Sequence, residues 1–216
     1  MRRRALLTAG ATWSGWAVAD VPALVRAAEA GDMAALRRLL DGGVPVDTRD
    51  AQGRTALLAA THAAQVDAAR LLIGRGADVN AKDAIQDSPY LLAGAQGRLA
   101  ILRMTLAAGA DIKSTNRYGG TALIPAAHYG HVETVRELLK TRIDVDHVNR
   151  LGWTALLEAI ILGDGGAAHT QIVRLLVAHG ASVQRADARG VTPLAHAEQR
   201  GQRRIVEVLL QAGARP

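Results

Sequence analysis

Residues 119–145, GGTALIPAAHYGHVETVRELLKTRIDV, contain the pattern from which the rest of the chain can be interpreted. This stretch predicts two short helices, TALIPAAHYG and HVETVRELLK, followed by a brief extended segment. When it is shifted along the chain by 33 residues it matches the same sequence again, so that Thr121 falls on Ser88, Thr55 and Thr154. A fixed period of this length indicates a solenoid of stacked helical repeats.

The residue that ends each second helix confirms the register of the repeat. Arg142 stands there in the fourth unit. The other five units have a glycine at this position: Gly43, Gly76, Gly109, Gly180 and Gly213. One interval is five residues longer than the others, and the inserted sequence GDGGA at 163–167 accounts for it. The period therefore divides the chain into six units, at about residues 20–48, 49–82, 83–115, 116–148, 149–186 and 187–216.

The motifs inside each unit resemble those of the ankyrin repeat, which has this period and opens with T-P-L-H-x-A. Thr192–Ala195 (TPLA) keeps most of that opening, Ser88–Leu91 (SPYL) keeps less, and Gly76–Asp83 (GADVNAKD) matches the family's ending. The histidine of the opening is replaced in every unit that has the motif, by Leu58, Leu91, Ile124, Leu157 and Ala195. Over about residues 20–216, the resemblance implies an all-α ankyrin-repeat solenoid of about six helix-turn-helix units with short β-turn fingers.

The predicted second helices carry apolar residues at i, i+3 and i+4, a spacing that faces them toward the neighbouring repeat. The clearest examples are AARLLI (68–73), TVRELL (134–139), IVRLLV (172–177) and IVEVLL (205–210). We therefore predict one buried row of leucines along the stack: Leu72, Leu139, Leu176 and Leu209.

The first nineteen residues differ from the repeats. Three arginines precede an uncharged, mostly apolar run, and Ala17-Val18-Ala19 forms an A-x-A site before Asp20. These are the parts of a secretory signal peptide, and the run is too short to span a membrane. We predict that residues 1–19 are a signal peptide of the Sec or twin-arginine type. Residues 20–216 would then form a single periplasmic or secreted domain.

The alternative is a cytoplasmic protein that retains a basic N-terminal tail. Charge bears on this choice, because residues 1–19 hold three of the 26 basic residues and none of the 20 acidic ones. Their removal lowers the formal net charge from +6 to +3. Half of the basic excess then leaves with the signal peptide, so we expect no nucleic-acid partner.

No pattern in the sequence indicates catalysis. His128 and His131 have the spacing of metal ligands, but no carboxylate or cysteine accompanies them at matching spacing, and His131 stands where ankyrin repeats have a structural Gly-His pair. The sequence GDGG at 163–166 lacks the Lys-Ser/Thr ending of a phosphate-binding loop, so we interpret it as an insertion between helices. We therefore predict that the protein is not an enzyme and has no catalytic residues, no cofactor and no metal site.

The repeat surface offers a binding site instead. In a solenoid of this type the fingers and first helices line a concave face. Tyrosine, tryptophan and arginine are enriched in binding hot spots, and they cluster on this face in the fourth and fifth units. We predict that the protein-binding residues are Arg117, Tyr118, Tyr129, Arg150, Leu151, Trp153, Ile85 and Arg189.

The resemblance implies a function that the residues do not name. The resemblance implies that exported bacterial proteins of this family typically work as partners of another protein, including as inhibitors or as accessories to enzymes. We therefore expect a monomer in the cell envelope that binds another protein and is not stably inserted in a membrane. The alternative is a cytoplasmic scaffold or regulator.

Overall fold

The computed structural model describes residues 20–215 and confirms an all-α solenoid. Twelve helices occupy this part of the chain: α1 (Asp20–Ala30), α2 (Met33–Asp41), α3 (Ala56–His62), α4 (Val66–Gly74), α5 (Pro89–Ala95), α6 (Leu99–Ala107), α7 (Leu123–His128), α8 (Val132–Leu139), α9 (Ala155–Ile161), α10 (Ala167–Ala178), α11 (Pro193–Gln199) and α12 (Arg203–Gln211). None of these helices is long and apolar enough to cross a membrane. The predicted signal peptide lies outside the described residues.

Consecutive helices pair into six units, and the units stack in two layers. Each odd-numbered helix packs against its own even-numbered partner and against the odd-numbered helix of the next unit. The even-numbered helices contact one another in the same order, from α2 to α12. Each repeat therefore buries its apolar side chains against its neighbours in one continuous core.

The buried row of the second helices matches the prediction except at one position. Leu72, Leu176 and Leu209 are fully buried, as predicted. In the fourth unit the residue in this register is Leu138, which is fully buried, while the neighbouring Leu139 is also buried, at 7% exposed. The prediction was wrong by one residue there because α8 ends on two consecutive leucines, and only the first has the register of the row.

Four of the first helices begin in the same way, with a hydroxyl at the N-cap. The side chains of Thr55, Ser88, Thr154 and Thr192 each accept a hydrogen bond from the amide three residues later, at 3.2 Å. The backbone carbonyl of each cap also accepts the first bond of the α-helix, from the residue four positions on. These caps satisfy amides that the helix itself leaves unpaired.

The fourth unit departs from this arrangement because Pro125 stands at the position of that fourth residue. Proline has no amide hydrogen, so the carbonyl of Thr121 instead accepts from the Ile124 amide at 3.2 Å. Helix α7 consequently begins at Leu123, two residues after the start of the predicted helix, and Thr121 is not its N-cap. The Thr121 hydroxyl is buried without a hydrogen-bond partner among the described residues.

Replacing Pro125 with alanine is expected to stabilise the protein by about 1 kcal/mol. The restored amide at position 125 can donate to the Thr121 carbonyl, which leaves the Ile124 amide free to donate to the Thr121 hydroxyl. Urea unfolding followed by circular dichroism measures this change. Thr121→Ala provides the control: it should cost little in the wild-type protein and about 1 kcal/mol in the Pro125→Ala background. Equal costs of Thr121→Ala in the two backgrounds would contradict the explanation.

The fingers between units share one turn, which is built by an aspartate or asparagine side chain. Asp50, Asp83, Asn116, Asn149 and Asp187 each accept two backbone amides with one side-chain oxygen, from the residues two and four positions later. The backbone of each also exchanges hydrogen bonds across the turn. This side-chain turn holds the finger in a fixed shape and so positions the residues at its tip.

The finger turn needs a residue in the left-handed region three positions after the aspartate or asparagine. Gly53, Gly119, Gly152 and Gly190 supply it in four units, with φ between 73° and 79°. In the third unit the residue is Gln86, whose φ is 69°. A side chain with a Cβ atom is strained in this region, since Cβ crowds the neighbouring backbone.

Gln86→Gly is expected to stabilise the protein by about 1 kcal/mol, because glycine removes the strain and the Gln86 side chain is exposed. Thermal and urea unfolding measure the gain. Gln96→Gly is the matched control, since Gln96 has an ordinary φ of −98° and the same change should then bring no gain. A Gln86→Gly variant that is less stable than the wild type would show that the strain is not relieved.

Candidate functional site

A cleft of about 330 Å³ opens on the concave face, between the fingers and first helices of the third, fourth and fifth units. Finger residues line one side and residues of α5, α7 and α9 line the other. The lining consists of Asp87, Ala95, Asn116, Arg117, Tyr118, Gly120, Ile124, Pro125, His128, Tyr129, Asn149, Leu151, Glu158 and Leu162. The cleft therefore combines apolar and aromatic walls with a few polar groups, as binding sites commonly do.

The structure brings four of the eight predicted binding residues into this cleft: Arg117, Tyr118, Tyr129 and Leu151. The guanidinium of Arg117 lies over the ring of Tyr118, with its carbon 4.9 Å from the ring centroid. Tyr129 is 60% exposed, while Tyr118 and Leu151 are 53% and 51% exposed. This much exposed apolar and aromatic surface in one place is typical of a binding surface.

The other four predicted residues do not line the cleft. Arg150 donates from its guanidinium to the Arg117 carbonyl at 2.8 Å and so joins the fourth finger to the fifth. Ile85 lines a smaller neighbouring cleft of about 190 Å³. Trp153 is half-buried in the fifth finger, and Arg189 is exposed in the sixth unit, near the Asp187 carboxylate.

Sequence reasoning missed Glu158, which is only 7% exposed and also lines the cleft. Its Oε1 accepts a hydrogen bond from Asn149 Nδ2 at 2.8 Å, which ties the fifth finger to α9. Its Oε2 lies 3.8 Å from His128 Nδ1. Burial raises the pKa of Glu158 to about 7, and the bond from Asn149 opposes this increase.

The period contained a signal for Glu158. The equivalent positions hold Ala59, Leu92, Pro125 and His196, so a carboxylate occurs here in the fifth unit alone of these. In the sixth unit His196 pairs with Asp187 at 3.0 Å, between the same two positions that Glu158 and Asn149 occupy. Glu158 makes the corresponding link to a neutral amide, so no cationic side chain compensates its charge when the carboxyl group ionises.

His128 borders the same carboxylate but does not neutralise it. Burial lowers the pKa of His128, and the nearby His169 lowers it further. The ring of His128 stacks on Tyr129, with the centroids 4.2 Å apart. At neutral pH His128 is thus an uncharged wall of the cleft, beside a carboxyl group that has no cation of its own.

The inserted residues of the fifth unit are ordered around His169, which is 9% exposed. Its two ring nitrogens lie 2.7 Å from Asp164 Oδ1 and 2.8 Å from the His128 carbonyl oxygen. Gln65 and Gln202, at the same register, bond carbonyls at the end of the previous unit's first helix. The insertion lengthens α10 by one turn at its start and keeps this contact between repeats.

His128 and His131 are the two residues whose spacing resembled that of metal ligands. Within residues 20–215 no group of three or more histidine, cysteine, aspartate or glutamate side chains is placed to hold a metal ion. His131 precedes α8 and packs against Gly97, where it supports the contact between the third and fourth units.

Comparison with known proteins agrees with this architecture. The family model described as "Ankyrin repeats (3 copies)" matches residues 10–83, 91–168 and 164–216. The chain belongs to the ankyrin repeat family. Ankyrin repeats are generally protein–protein interaction modules and typically act as non-catalytic scaffolds.

Solved ankyrin repeat structures resemble this ankyrin repeat protein over most of its length. An ankyrin repeat domain from Acinetobacter baumannii AYE is 59% identical, with a TM-score of 0.86 over 89% of this chain and 98% of that one. The ankyrin repeat protein EF0377 is 42% identical, with a TM-score of 0.85 over 88% of this chain and 98% of that one. The ankyrin repeat domain of Bcl-3, a member of the IkappaB family, is 29% identical, with a TM-score of 0.79 over 89% of this chain and 86% of that one.

A curated relative matches a shorter stretch. The putative ankyrin repeat protein YahD of Escherichia coli K12 is 49% identical over 57 residues. That stretch covers 26% of this chain and 28% of YahD.

Proposed function

We propose that this ankyrin repeat protein is a non-catalytic module that binds a partner protein through the concave cleft of its third to fifth units. The observation that carries the proposal is the exposed cluster of Tyr118, Tyr129 and Leu151, each more than half exposed, around one cleft. Hydrogen bonds from Arg150 to the carbonyls of Arg117 and Tyr118 join the two fingers that carry Tyr118 and Leu151, which reduces the ordering that binding would require of them.

Affinity capture from the source cell, followed by titration with the captured partner, tests this proposal. Tyr118→Ala combined with Leu151→Ala is expected to weaken binding by about 100-fold or more, because hot-spot residues each contribute 2 kcal/mol or more. Leu210→Ala is the matched control: Leu210 is 50% exposed on α12, away from the cleft, and its loss should leave binding unchanged. Unchanged binding by the double variant, with the helical circular dichroism retained, would contradict the proposal.

We also propose that the protein is a monomer that acts in the bacterial cell envelope, as an inhibitor of another protein or as its accessory. The support for the envelope location is the sequence of residues 1–19, with its basic start, apolar run and A-x-A site. N-terminal sequencing of the protein purified from its own cell tests export, and a mature chain that begins at Asp20 is expected. A chain that keeps Arg2 to Arg4 would instead favour the cytoplasmic scaffold or regulator.

A further inference from the structure

The cleft contains two carboxyl groups, and only one of them has a cation beside it. Asp87 Oδ2 lies 3.7 Å from Arg117 Nη1, and the Arg117 guanidinium is itself held over the Tyr118 ring. Glu158 is more than nine-tenths buried, and no arginine or lysine of the described residues forms a salt bridge with it. Its Oε1 is occupied by Asn149, while no hydrogen bond from a described residue reaches its Oε2.

The surroundings of Glu158 select the kind of group that could complete it. Tyr118 and Tyr129 each have one ring face in contact with Arg117 or His128 and are still more than half exposed, and Leu151 and Leu162 provide apolar walls. A flat cation that stacks on aromatic rings and is weakly hydrated fits such a site better than a compact, strongly hydrated ammonium group. An acidic group of a partner would instead face the carboxyl of Glu158 at low dielectric, where repulsion between like charges is strong.

We propose that the cleft receives an arginine side chain of the partner protein, with the Glu158 carboxylate as its counter-charge and the rings of Tyr118 and Tyr129 beside it. This inference rests on the proposed function, since it names the chemistry that the concave cleft recognises. The proposal also explains why the protein keeps a carboxyl group whose burial destabilises the folded state. Buried ionisable groups of this kind cluster at functional sites.

Short capped peptides with one central arginine test the proposal directly. They are titrated into the full-length protein while amide chemical shifts are followed by NMR. The arginine peptide is expected to cause saturable shifts in residues 116–120 and 149–153. Its citrulline analogue, which has nearly the same shape and no charge, should bind about tenfold more weakly or worse, and the lysine peptide should also be weaker. Equal binding of the citrulline peptide, or no saturable shifts in the cleft, would overturn the proposal. Tighter binding of a glutamate peptide would assign the cleft to an acidic segment instead.

Glu158→Gln is the decisive variant, because glutamine has the same shape and still accepts from Asn149 while it carries no charge. It should weaken binding of the arginine peptide by about tenfold or more. The captured partner is then titrated with both variants. If Glu158→Gln still binds it and the double variant Tyr118→Ala with Leu151→Ala does not, the arginine proposal is rejected and the proposed function is kept. Retained binding by both variants would reject the proposed function itself.

Discussion

Glu158→Gln is expected to stabilise the protein by about 3 kcal/mol at pH 8 and by about 1 kcal/mol at pH 5. Burial raises the pKa of Glu158 from 4.5 to about 7 in the folded protein, so the folded state binds a proton that the unfolded state has lost between these two values. Stability therefore falls as the pH rises from about 4.5 through 7, and glutamine, which cannot ionise, avoids this loss. Urea unfolding at a series of pH values measures it.

The control for this prediction is Glu198→Gln, a change of the same kind at an exposed carboxyl on α11. It should change stability by less than about 0.5 kcal/mol at either pH. His128 acts in the opposite direction: its pKa is lowered in the folded state, so stability falls as the pH decreases below about 6.5. This loss of stability at low pH should persist in the Glu158→Gln variant. A Glu158→Gln variant whose stability depends on pH as strongly as the wild type would contradict the account of the cleft.

Gly94→Ala is expected to destabilise the protein by about 2 kcal/mol, because it overpacks the contact between α5 and α7. A Cβ atom at Gly94 would lie 2.8 Å from the Cβ of Ala122 and 3.2 Å from its carbonyl oxygen. Both atoms are fixed to the backbone, so the two units can accept the new methyl group only by moving apart. Thermal and urea unfolding measure the loss.

Two further variants separate overpacking from other effects of the substitution. Ala122→Gly in the Gly94→Ala background should recover 1 kcal/mol or more, since it removes the atom with which the new methyl group collides. Gly74→Ala, at the end of α4 where a Cβ would meet no atom within 4 Å, should instead be neutral or stabilise the protein by up to about 1 kcal/mol. A Gly94→Ala protein as stable as the wild type would show that the units are not in such close contact.

The period in the sequence was enough to predict the fold, because every unit repeats the same two helices and finger. The prediction from the period failed where a single residue changes the local hydrogen bonds. Pro125 removes an amide and moves the start of α7, which the period of Thr121 could not reveal. At Arg142, where other units have glycine, the Thr141 hydroxyl accepts the Ile143 amide and donates to the Leu138 carbonyl, and these bonds close the unit.

The period likewise predicted only some of the residues that line the candidate site. Finger positions follow directly from the register, so the period placed Arg117, Tyr118 and Leu151 beside one cleft. Glu158 was missed because the register assigns its position to the apolar side of a first helix, and a carboxyl group there is visible only once its burial is known. The ordering of the insertion by His169 likewise depends on a contact with the previous unit, 41 residues away in the sequence.

The most direct test of the central claim is photo-crosslinking from the concave cleft to the partner. Benzoylphenylalanine in place of Tyr118 reports contacts at the cleft, and the same residue in place of Arg174, exposed on α10, reports contacts elsewhere. We predict that the partner is crosslinked from position 118 and not from position 174, with the attachment mapped by mass spectrometry. Crosslinking from position 174 alone would mean that the partner binds the outer helices and that the cleft is not its site.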